Sequence, residues 1–200
     1  MEFRDTVLKR RMVRNFLKVE VPREAIDRIL GLAQHGPSAG FSQGCAYVVV
    51  TDEELRKRIG AIQGENDFFS KRRFQRFVSE APALIVACVS EQLYHNRYRE
   101  PDKLNEDGTE IEWPVPFWYF DIGAATMIIL LAAVDEGLVA AFTGVFRREE
   151  LRKLLGIPEH FEPIGVISLG YRAKDIQSYS LKRGRRPARD VVHYERWSST

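Results

Sequence analysis

The sequence predicts a mixed β-sheet with helices on both of its faces. Short apolar runs rich in β-branched residues indicate buried strands, and stretches with helical periodicity separate them without a steady strand-helix-strand alternation. A long apolar helix in the second half of the chain provides a core for such a fold. With 200 residues, 44% of them hydrophobic and 29% charged, one domain over residues 1–200 is expected.

The long apolar helix is predicted over residues 117–137. It has no charged side chain between Asp121 and Asp135, and a helix that is apolar on every side is expected to be buried on every side. A membrane span is the rival interpretation, but it needs roughly 20 predominantly apolar residues. The uncharged run over residues 122–134 is shorter than that. We therefore expect a buried helix outside any membrane that also contributes to a subunit interface.

Five further helices are predicted from periodicity and from capping or breaking residues. The first lies within residues 2–16, where a short helix runs into a basic turn, and the others cover residues 22–36, 53–62, 66–80 and 148–155. Pro22 suits the start of the second of these helices, since its ring presets a helical φ angle. Asp52 is expected to cap the third, because its carboxylate can accept the first free amides of the helix.

Four strands are predicted from their β-branched, apolar composition. They cover residues 46–51, 82–90, 138–142 and 163–169, and the first is placed in the centre of the sheet. A polar insert over residues 91–116 has no clear periodicity, and a loop of that length in a compact domain is usually functional or mobile. The basic and aromatic arm over residues 172–200 is expected to pack on something other than its own core, such as a second subunit.

Composition excludes several classes of function. The 30 basic and 28 acidic residues give a net charge of only +2, which does not suggest a nucleic-acid-binding protein. Cys45 and Cys88 lie in apolar runs and are expected to be reduced core residues of a cytoplasmic protein. The four histidines have no metal-ligand spacing, so no metal site is expected. The first residues lack the apolar stretch of a signal peptide.

The first stretch that could bind a ligand is basic and lies near the start of the chain. Arg10 and Arg14 are four residues apart and would share a face of the predicted helix, where two guanidinium groups could hold a phosphate. A solvated basic turn is the alternative. A second basic group over residues 182–187 would have to lie nearby to favour the phosphate site.

Two other stretches offer small residues next to predicted strands. Residues 36–44 contain glycines that allow a ligand to approach the backbone, together with hydroxyl and amide side chains. Residues 140–145 place a threonine and a glycine at the end of a strand, where small ligands tend to bind. Signatures of a Rossmann crevice, a P-loop and a hydrolase nucleophile elbow are absent from the sequence.

Six motifs occur in an order that resembles the FMN-dependent nitroreductase family. They are R-R-x-x-R-x-F from Arg10, P-S-A-G-x-x-Q from Pro37, D-x-G-A-A from Asp121, L-G-I-P from Leu155, L-G-Y from Leu169 and R-R-P from Arg185. The similarity covers roughly residues 4–194.

The resemblance implies a homodimer of α+β subunits with a mixed, mainly antiparallel central sheet, helices on both faces and an exchanged C-terminal arm. It also implies FMN at the interface, contacted by both chains. The implied cofactor-binding residues are Arg10, Arg11, Met12, Arg14, Pro37, Ser38, Ala39, Gly40, Gln43, Thr143, Gly144, Arg185 and Arg186. The arginines would hold the phosphate, residues 37–43 would come from the partner subunit, and Thr143 and Gly144 would lie near flavin N5.

The chain departs from the family pattern at several positions, two of which matter for the cofactor. The family often has serine where this chain has Met12, and asparagine where it has Phe41, and each change removes a polar contact to the cofactor. Phe41 could instead pack near the ring system. The proline and tryptophan that usually follow the glutamine are replaced by Gly44 and Cys45.

The implied activity is that of an FMN-dependent oxidoreductase that takes a hydride from NAD(P)H at N5 and reduces a planar acceptor, such as a nitroaromatic compound or a quinone. No side-chain nucleophile or general base is expected, because the cofactor carries the chemistry. Related flavin-cleaving or dehalogenating enzymes, and a flavin-binding protein without turnover, are the alternatives. The insert over residues 91–116 is expected to form a lid over the flavin, although its tryptophan and prolines could simply pin it to the core.

Overall fold

The computed structural model describes residues 1–69, 76–175 and 178–197. The helices are α1 Phe3–Lys9, α2 Arg23–Ala33, α3 Glu53–Ile62, α4 Glu91–Tyr98, α5 Phe117–Asp135 and α6 Arg148–Leu155. The strands are β1 Cys45–Val50, β2 Ala83–Val89, β3 Val139–Gly144 and β4 Glu162–Gly170. All four predicted strands and most of the predicted helices are therefore confirmed within a few residues.

One helix prediction and the loop prediction for the insert need correction. The helix predicted over residues 66–80 falls in part on residues 70–75, which lie outside the described residues; the described parts form a π-helical turn, Glu65–Phe69, and simple turns over residues 77–80. The insert over residues 91–116 was expected to lack regular structure, yet it begins with helix α4. Ser90 caps that helix, because its Oγ accepts a hydrogen bond from the amide of Leu93 at 3.4 Å.

The four strands form one antiparallel sheet in the order β1-β2-β4-β3. One row across it joins Val48 to Val86, Val86 to Val166, and Val166 to Thr143. The prediction that β1 is central is wrong, since β1 is an edge strand of the described sheet and β2 and β4 occupy the centre. β-branched composition alone cannot separate the two positions, whereas burial can: every residue of β2 is buried, and those of β1 are mostly half-buried.

Helices cover both faces of the sheet, as predicted. On one face, Ile29 of α2 and Ile129 of α5 pack against Ile85 and Ile167. On the other face, α3 and α6 bury side chains such as Ile59 against the alternate residues of the same strands. Full burial of one such aliphatic side chain stabilises the fold by about 1.5–3 kcal/mol. The sheet is therefore the middle layer of a three-layer core.

Helix α5 is buried on one side only. Phe120 is 65% exposed, Met127 is 46% exposed and Gly123 between them is exposed as well. These positions are three and four residues apart, so they form one apolar stripe on the helix. The expectation that this helix is buried on every side is wrong for the single chain. By length and composition α5 could cross a membrane, but 56% of its most apolar stretch is packed inside the protein.

The C-terminal arm makes few contacts with the sheet. It leaves β4 beside residue 15, where the amide of Ala173 donates to the carbonyl of Asn15 at 3.2 Å. Beyond this point the described part of the arm contains only two short 3₁₀ turns, Tyr179–Arg183 and Ala188–Asp190. Tyr194 and Trp197 are 87% and 84% exposed. The arm thus places large aromatic side chains in solvent, as expected for a segment that packs elsewhere.

Candidate functional site

The predicted arginine segment is extended and lies beside the open edge of β3. Helix α1 ends at Lys9, and Arg10 already has an extended ψ angle of 127°. The amide of Val13 donates to the carbonyl of Ala140 at 3.1 Å, and Val13 is only 2% exposed. The prediction that Arg10 and Arg14 share a helical face is therefore wrong. Pairing with β3 and burial of Val13 outweigh continuation of the helix.

The guanidinium groups of this segment have different partners. Arg11 Nη1 turns back to donate to the carbonyls of Leu8 at 2.5 Å and Arg10 at 2.8 Å, which places its charge at the C-terminal end of α1. The Arg14 guanidinium lies 5.6 Å from the centre of the Phe77 ring, and the backbone amide of Arg14 donates to Asp175 Oδ2 at 3.2 Å.

Arg10 is half-buried, and no carboxylate among the described residues forms an ion pair with its guanidinium. Met12 is 37% exposed beside it and forms a parallel bridge with Ala140. Arg10 therefore has a cationic group that the folded chain does not neutralise and that remains partly accessible to an anion.

The end of β3 presents an unused amide at the edge of the sheet. Val145 donates to Ile164 at 3.3 Å, so in this antiparallel pair the odd-numbered residues of β3 bond to β4. Ala140, Phe142 and Gly144 consequently direct their backbone groups away from β4. The N–H of Gly144 lies on this open edge, and no atom occupies the space where a Cβ would stand at Gly144. A flat ring could approach this amide closely.

The side chain of Gln63 holds the carbonyl of Gly144, and this role was not predicted from the sequence. Its Nε2 donates to the carbonyl of Gly144 at 3.1 Å, its side chain is only 4% exposed, and its Oε1 has no partner among the described residues. This bond holds the carbonyl of the Gly144–Val145 peptide group, whose N–H donates to Ile164. Nothing in the local sequence distinguishes this glutamine from a solvent-exposed residue after helix α3.

The loop over residues 37–43 has a left-handed backbone at three positions. Gly40, Phe41 and Gln43 have φ angles of 60°, 58° and 52°. The amide of Gln43 donates to Ser38 Oγ at 2.8 Å, and Ser42 Oγ donates to the carbonyl of Ala39 at 2.6 Å. Left-handed conformations at residues other than glycine are uncommon and cluster at functional sites. Phe41 is 73% exposed at the tip of this loop.

Helices α4 and α5 hold this loop in place. Asp121 of α5 accepts hydrogen bonds at the same Oδ2 atom from the amide of Ala39 at 2.8 Å and from the hydroxyl of Tyr94 at 2.7 Å. Arg97 Nε donates to the carbonyl of Gly40 at 2.9 Å. Burial and the bond to Asp121 both raise the pKa of the Tyr94 hydroxyl, which keeps it a neutral donor.

The insert over residues 91–116 is packed rather than open. The Trp113 ring lies 4.5 Å from the Tyr98 ring and contacts Tyr94 edge-on at 6.4 Å. Glu110 accepts hydrogen bonds from Trp113 Nε1 at 2.7 Å and Arg99 Nε at 2.9 Å, and it also pairs with His95. Burial acts to raise the pKa of Glu110, but hydrogen bonds from Trp113, His95 and Arg99 outweigh it and lower the pKa. The insert therefore forms a folded platform beside the 37–43 loop.

The single chain does not bring the two halves of the predicted site together. Cys45, which follows the 37–43 loop, and Gly144 lie at the same end of the sheet, but on its opposite edges. Three strand spacings separate them, or roughly 14 Å. Arg185 and Arg186 are exposed on the arm, where Arg186 Nη2 donates to the carbonyl of Asp190 at 2.6 Å. No hydrogen bond or ion pair between described residues links either of them to the arginine segment.

A large cavity does not coincide with the predicted site, and the described residues offer no cluster of metal ligands. A cavity of about 1260 Å³ lies at the other end of the sheet, beside Val49, Pro82 and Arg56, and contains none of the predicted site residues. Arg56 there donates to the carbonyls of Thr51 and Ser79, each at 3.2 Å, so it serves the fold. Within the described ranges, no group of three or more histidine, cysteine, aspartate or glutamate residues could hold a metal ion.

The cysteines are reduced in the structure. Cys88 is buried, Cys45 is half-buried, and neither forms a disulfide. Because Cys45 is opposite Val89 and Cys88 is opposite Ala46 in adjacent strands, the two thiols point to opposite faces of the sheet. Burial raises the pKa of Cys45 to about 11, so this thiol is inert near neutral pH.

Comparisons with known proteins agree with this architecture. The model of the nitroreductase family matches residues 7–171. A protein of Methanothermobacter thermautotrophicus, provisionally named an NADH dehydrogenase/NAD(P)H nitroreductase, is 31% identical over 98% of this chain and 88% of its own length. Human iodotyrosine deiodinase 1 is 28% identical over 91% of this chain and 65% of its own length. The structure titled NADPH:FMN oxidoreductase from Vibrio harveyi complexed with NAD⁺ has a TM-score of 0.73 at 24% identity, covering 99% of this chain and 79% of that one.

Proposed function

Because the chain belongs to the nitroreductase family, a family of enzymes, we propose that it is an FMN-dependent oxidoreductase that acts as a homodimer. Its electron donor is NAD(P)H, and its acceptor is a planar compound such as a nitroaromatic or a quinone. The observation that carries the proposal is the open edge of β3, where the unused N–H of Gly144 lies at one end and the arginine segment lies beside Ala140 at the other.

The residues along this edge fit FMN. Gly144 lies four positions after Ala140, which corresponds to roughly 13 Å along a strand. An extended cofactor with an anionic phosphate at one end and a flat ring at the other matches this arrangement of a cationic group and an accessible amide. Arg10 suits the phosphate, since its guanidinium has no acidic partner among the described residues. The free space at Gly144 suits the ring.

The second half of the site comes from a partner subunit in this proposal. Cys45, which follows the 37–43 loop, is roughly 14 Å from Gly144 across the sheet of one chain, so the loop is better placed to reach the flavin of a second copy. The exposed apolar stripe at Phe120 and Met127 provides a surface for that copy. The arm, which carries Arg185 and Arg186, extends away from its own core and can reach the partner.

When bound, FMN supplies the chemistry by accepting a hydride at N5 from the nicotinamide and passing electrons to the acceptor. Arg10 would hold the phosphate through charge-assisted hydrogen bonds. The Gly144 N–H would provide a donor to the ring, and Gln63 would hold the carbonyl of the same residue. Phe41, exposed on the loop, provides an aromatic face for packing beside a planar ring. No side chain is assigned as nucleophile or general base.

The names of the relatives support this proposal. The Vibrio harveyi protein is named an NADPH:FMN oxidoreductase and its structure is a complex with NAD⁺. The Methanothermobacter thermautotrophicus protein has NAD(P)H nitroreductase in its name. Human iodotyrosine deiodinase 1 favours reductive dehalogenation as a second candidate, since it matches 91% of this chain. A cytoplasmic location of the protein stays a prediction.

The experiment adds NADH or NADPH to the purified protein under anaerobic conditions and monitors the absorbance of the bound flavin. We expect a bound flavin spectrum that is bleached by NADH or NADPH and restored by a nitroaromatic or a quinone. Restoration by an iodinated tyrosine with release of iodide, and by no nitroaromatic or quinone, would favour the dehalogenase. A bound flavin that neither nicotinamide reduces, or a protein that binds no FMN after reconstitution, would overturn the proposal.

A further inference from the structure

Asp121 is a buried carboxylate for which the proposed chemistry has no use. It is 5% exposed, and no lysine, arginine or histidine among the described residues forms an ion pair with it. A buried and unpaired carboxylate is costly, so its hydrogen bonds must compensate for lost hydration. Both of its described hydrogen bonds are accepted by Oδ2, one from the Ala39 amide and one from the Tyr94 hydroxyl. Asp121 therefore links the 37–43 loop to helix α4.

The Ala39 amide belongs to the loop whose backbone is strained. Phe41 and Gln43 have φ angles of 58° and 52°, a conformation that a residue with a side chain adopts only when its surroundings enforce it. The hydrogen bond from Ala39 fixes the first turn of the loop, at the residue where the 3₁₀ turn Ala39–Phe41 begins. Loss of this anchor would allow the loop to relax toward ordinary backbone angles.

Tyr94 connects the loop to the insert. It is fully buried, and the Tyr94 ring occupies the space next to Gly44, where a Cβ would collide with it. The ring of Tyr98, one helical turn further along α4, fills the corresponding space at Gly40. The loop is therefore shaped by α4 from one side and by Asp121 from the other.

We propose that Asp121 and Tyr94 are positioning residues that hold the 37–43 loop in the conformation that binds the flavin of the partner subunit. This inference rests on the proposed function and adds to it a residue pair outside the predicted site. Neither side chain is proposed to contact the flavin. Asp121 acts through the Ala39 amide, and Tyr94 acts through Asp121 and through its packing against Gly44.

The test compares Asp121→Ala, Asp121→Asn and Tyr94→Phe with two matched controls. Asp135→Asn changes an exposed aspartate on the same helix, and Tyr119→Phe removes a hydroxyl that donates to Glu162 at 2.7 Å on the surface. Hydrogen exchange of the peptide over residues 37–44 is measured by mass spectrometry on the flavin-free full-length protein. The FMN dissociation constant is measured by fluorescence titration, and the melting temperature reports the overall fold.

We expect Asp121→Ala and Tyr94→Phe to speed exchange in the loop and to raise the FMN dissociation constant roughly tenfold or more, as loss of a hydrogen bond to a charged group does. Asp121→Asn keeps an acceptor oxygen in the same place and should restore slow exchange and most of the affinity. Both controls should match the wild type. If Asp121→Ala does not fold, Tyr94→Phe, which keeps the ring, gives the same test.

Unchanged loop exchange in Tyr94→Phe and Asp121→Ala, or faster exchange with unchanged FMN affinity, would overturn this inference and leave the proposed function standing. A wild-type protein that binds no FMN would instead overturn the proposed function. In that case the exchange rates alone decide whether Asp121 and Tyr94 hold the loop.

Discussion

Arg10 lies where α1 ends and where the chain turns to run beside β3. Its neighbours Arg11 and Arg14 each have a partner within the chain, respectively the carbonyls at the end of α1 and the Phe77 ring. The same residue type thus serves helix capping, aromatic packing and, in our proposal, phosphate binding. The roles of these three arginines therefore differ because their surroundings differ, although the residue type is the same.

Arg10→Ala should release FMN while leaving the protein folded. A charge-assisted hydrogen bond contributes about 1.5–3 kcal/mol, so the FMN dissociation constant should rise roughly tenfold to 150-fold. Fluorescence titration of the flavin-free protein measures it. Arg23→Ala is the matched control, because Arg23 is 90% exposed on α2. Equal affinity in the two variants would remove Arg10 from the site.

Glu110 gives the insert a pH dependence with a definite sign. Its pKa in the folded protein is below its ordinary value of 4.5. The ionised Glu110 carboxylate therefore stabilises the folded insert fully when the pH is above that ordinary pKa. This stabilisation is lost as the pH falls through the lowered pKa of the folded protein. We expect the insert to loosen below about pH 4, with faster hydrogen exchange over residues 91–116. Glu110→Gln should exchange faster near neutral pH and show little further change on acidification. A wild-type insert whose exchange does not change across this range would contradict the prediction.

The elements around the 37–43 loop form one unit. Helix α4 supplies Tyr94, Arg97 and Tyr98, and α5 supplies Asp121, so the insert is tied to the loop through its helix. Residues 100–109 follow as turns that are largely exposed, with Asp102 held by the Arg97 guanidinium, which lowers the pKa of that carboxyl to about 2. Support of the loop and selection of an acceptor can therefore reside in different parts of the insert.

Replacing residues 101–109 with a Gly-Ser linker of equal length should leave FMN binding and reduction by NAD(P)H nearly intact, because α4, Glu110 and Trp113 are retained. We expect the acceptor preference to change, as it would if these acidic turns cover the bound substrate. Steady-state rates with nitroaromatics, quinones and halogenated phenols measure the preference. Asp102→Asn controls for the lost ion pair with Arg97. An identical acceptor profile would make these turns purely structural.

The whole molecule has an apolar stripe on α5 and an arm that leaves its aromatic side chains exposed. Phe120 and Met127 on the stripe, and Tyr194 and Trp197 on the arm, are all more than 40% exposed in the single chain. Apolar surfaces of this kind mark sites of association. In our proposal, the dimer covers both surfaces and brings a 37–43 loop to the β3 edge of the other chain.

We expect the intact protein to be a dimer by light scattering at micromolar concentration. Phe120→Asp should shift it toward the monomer, since a buried and unpaired charge at an interface is costly. Deletion of residues 173–200 should lower both the dimer fraction and the bound FMN. Lys153→Asp, an exposed position on α6 across the sheet, should have no effect. A soluble monomer for the intact protein would count against the two-chain site.

The sequence by itself determined the strands, most helices and the order in which they occur. The uniformly apolar composition of β2, in which every residue is buried, and the Asp52 cap, whose Oδ1 accepts from the Leu55 amide at 2.7 Å, are local features. Local periodicity and capping chemistry are visible in a sequence because the interacting residues are only a few positions apart. The six ordered motifs likewise sufficed to indicate the family.

Tertiary structure alone decided the position of each strand in the sheet, the extended form of the arginine segment and the roles of Gln63, Tyr94 and Asp121. Val13 bonds to Ala140, Gln63 bonds to Gly144 and Asp121 bonds to Ala39. The two residues of each pair are at least 81 positions apart in the sequence. Such contacts form between distant segments, and no local pattern encodes them. They arise because the sheet and α5 bring these segments together and each buried polar group then needs a partner.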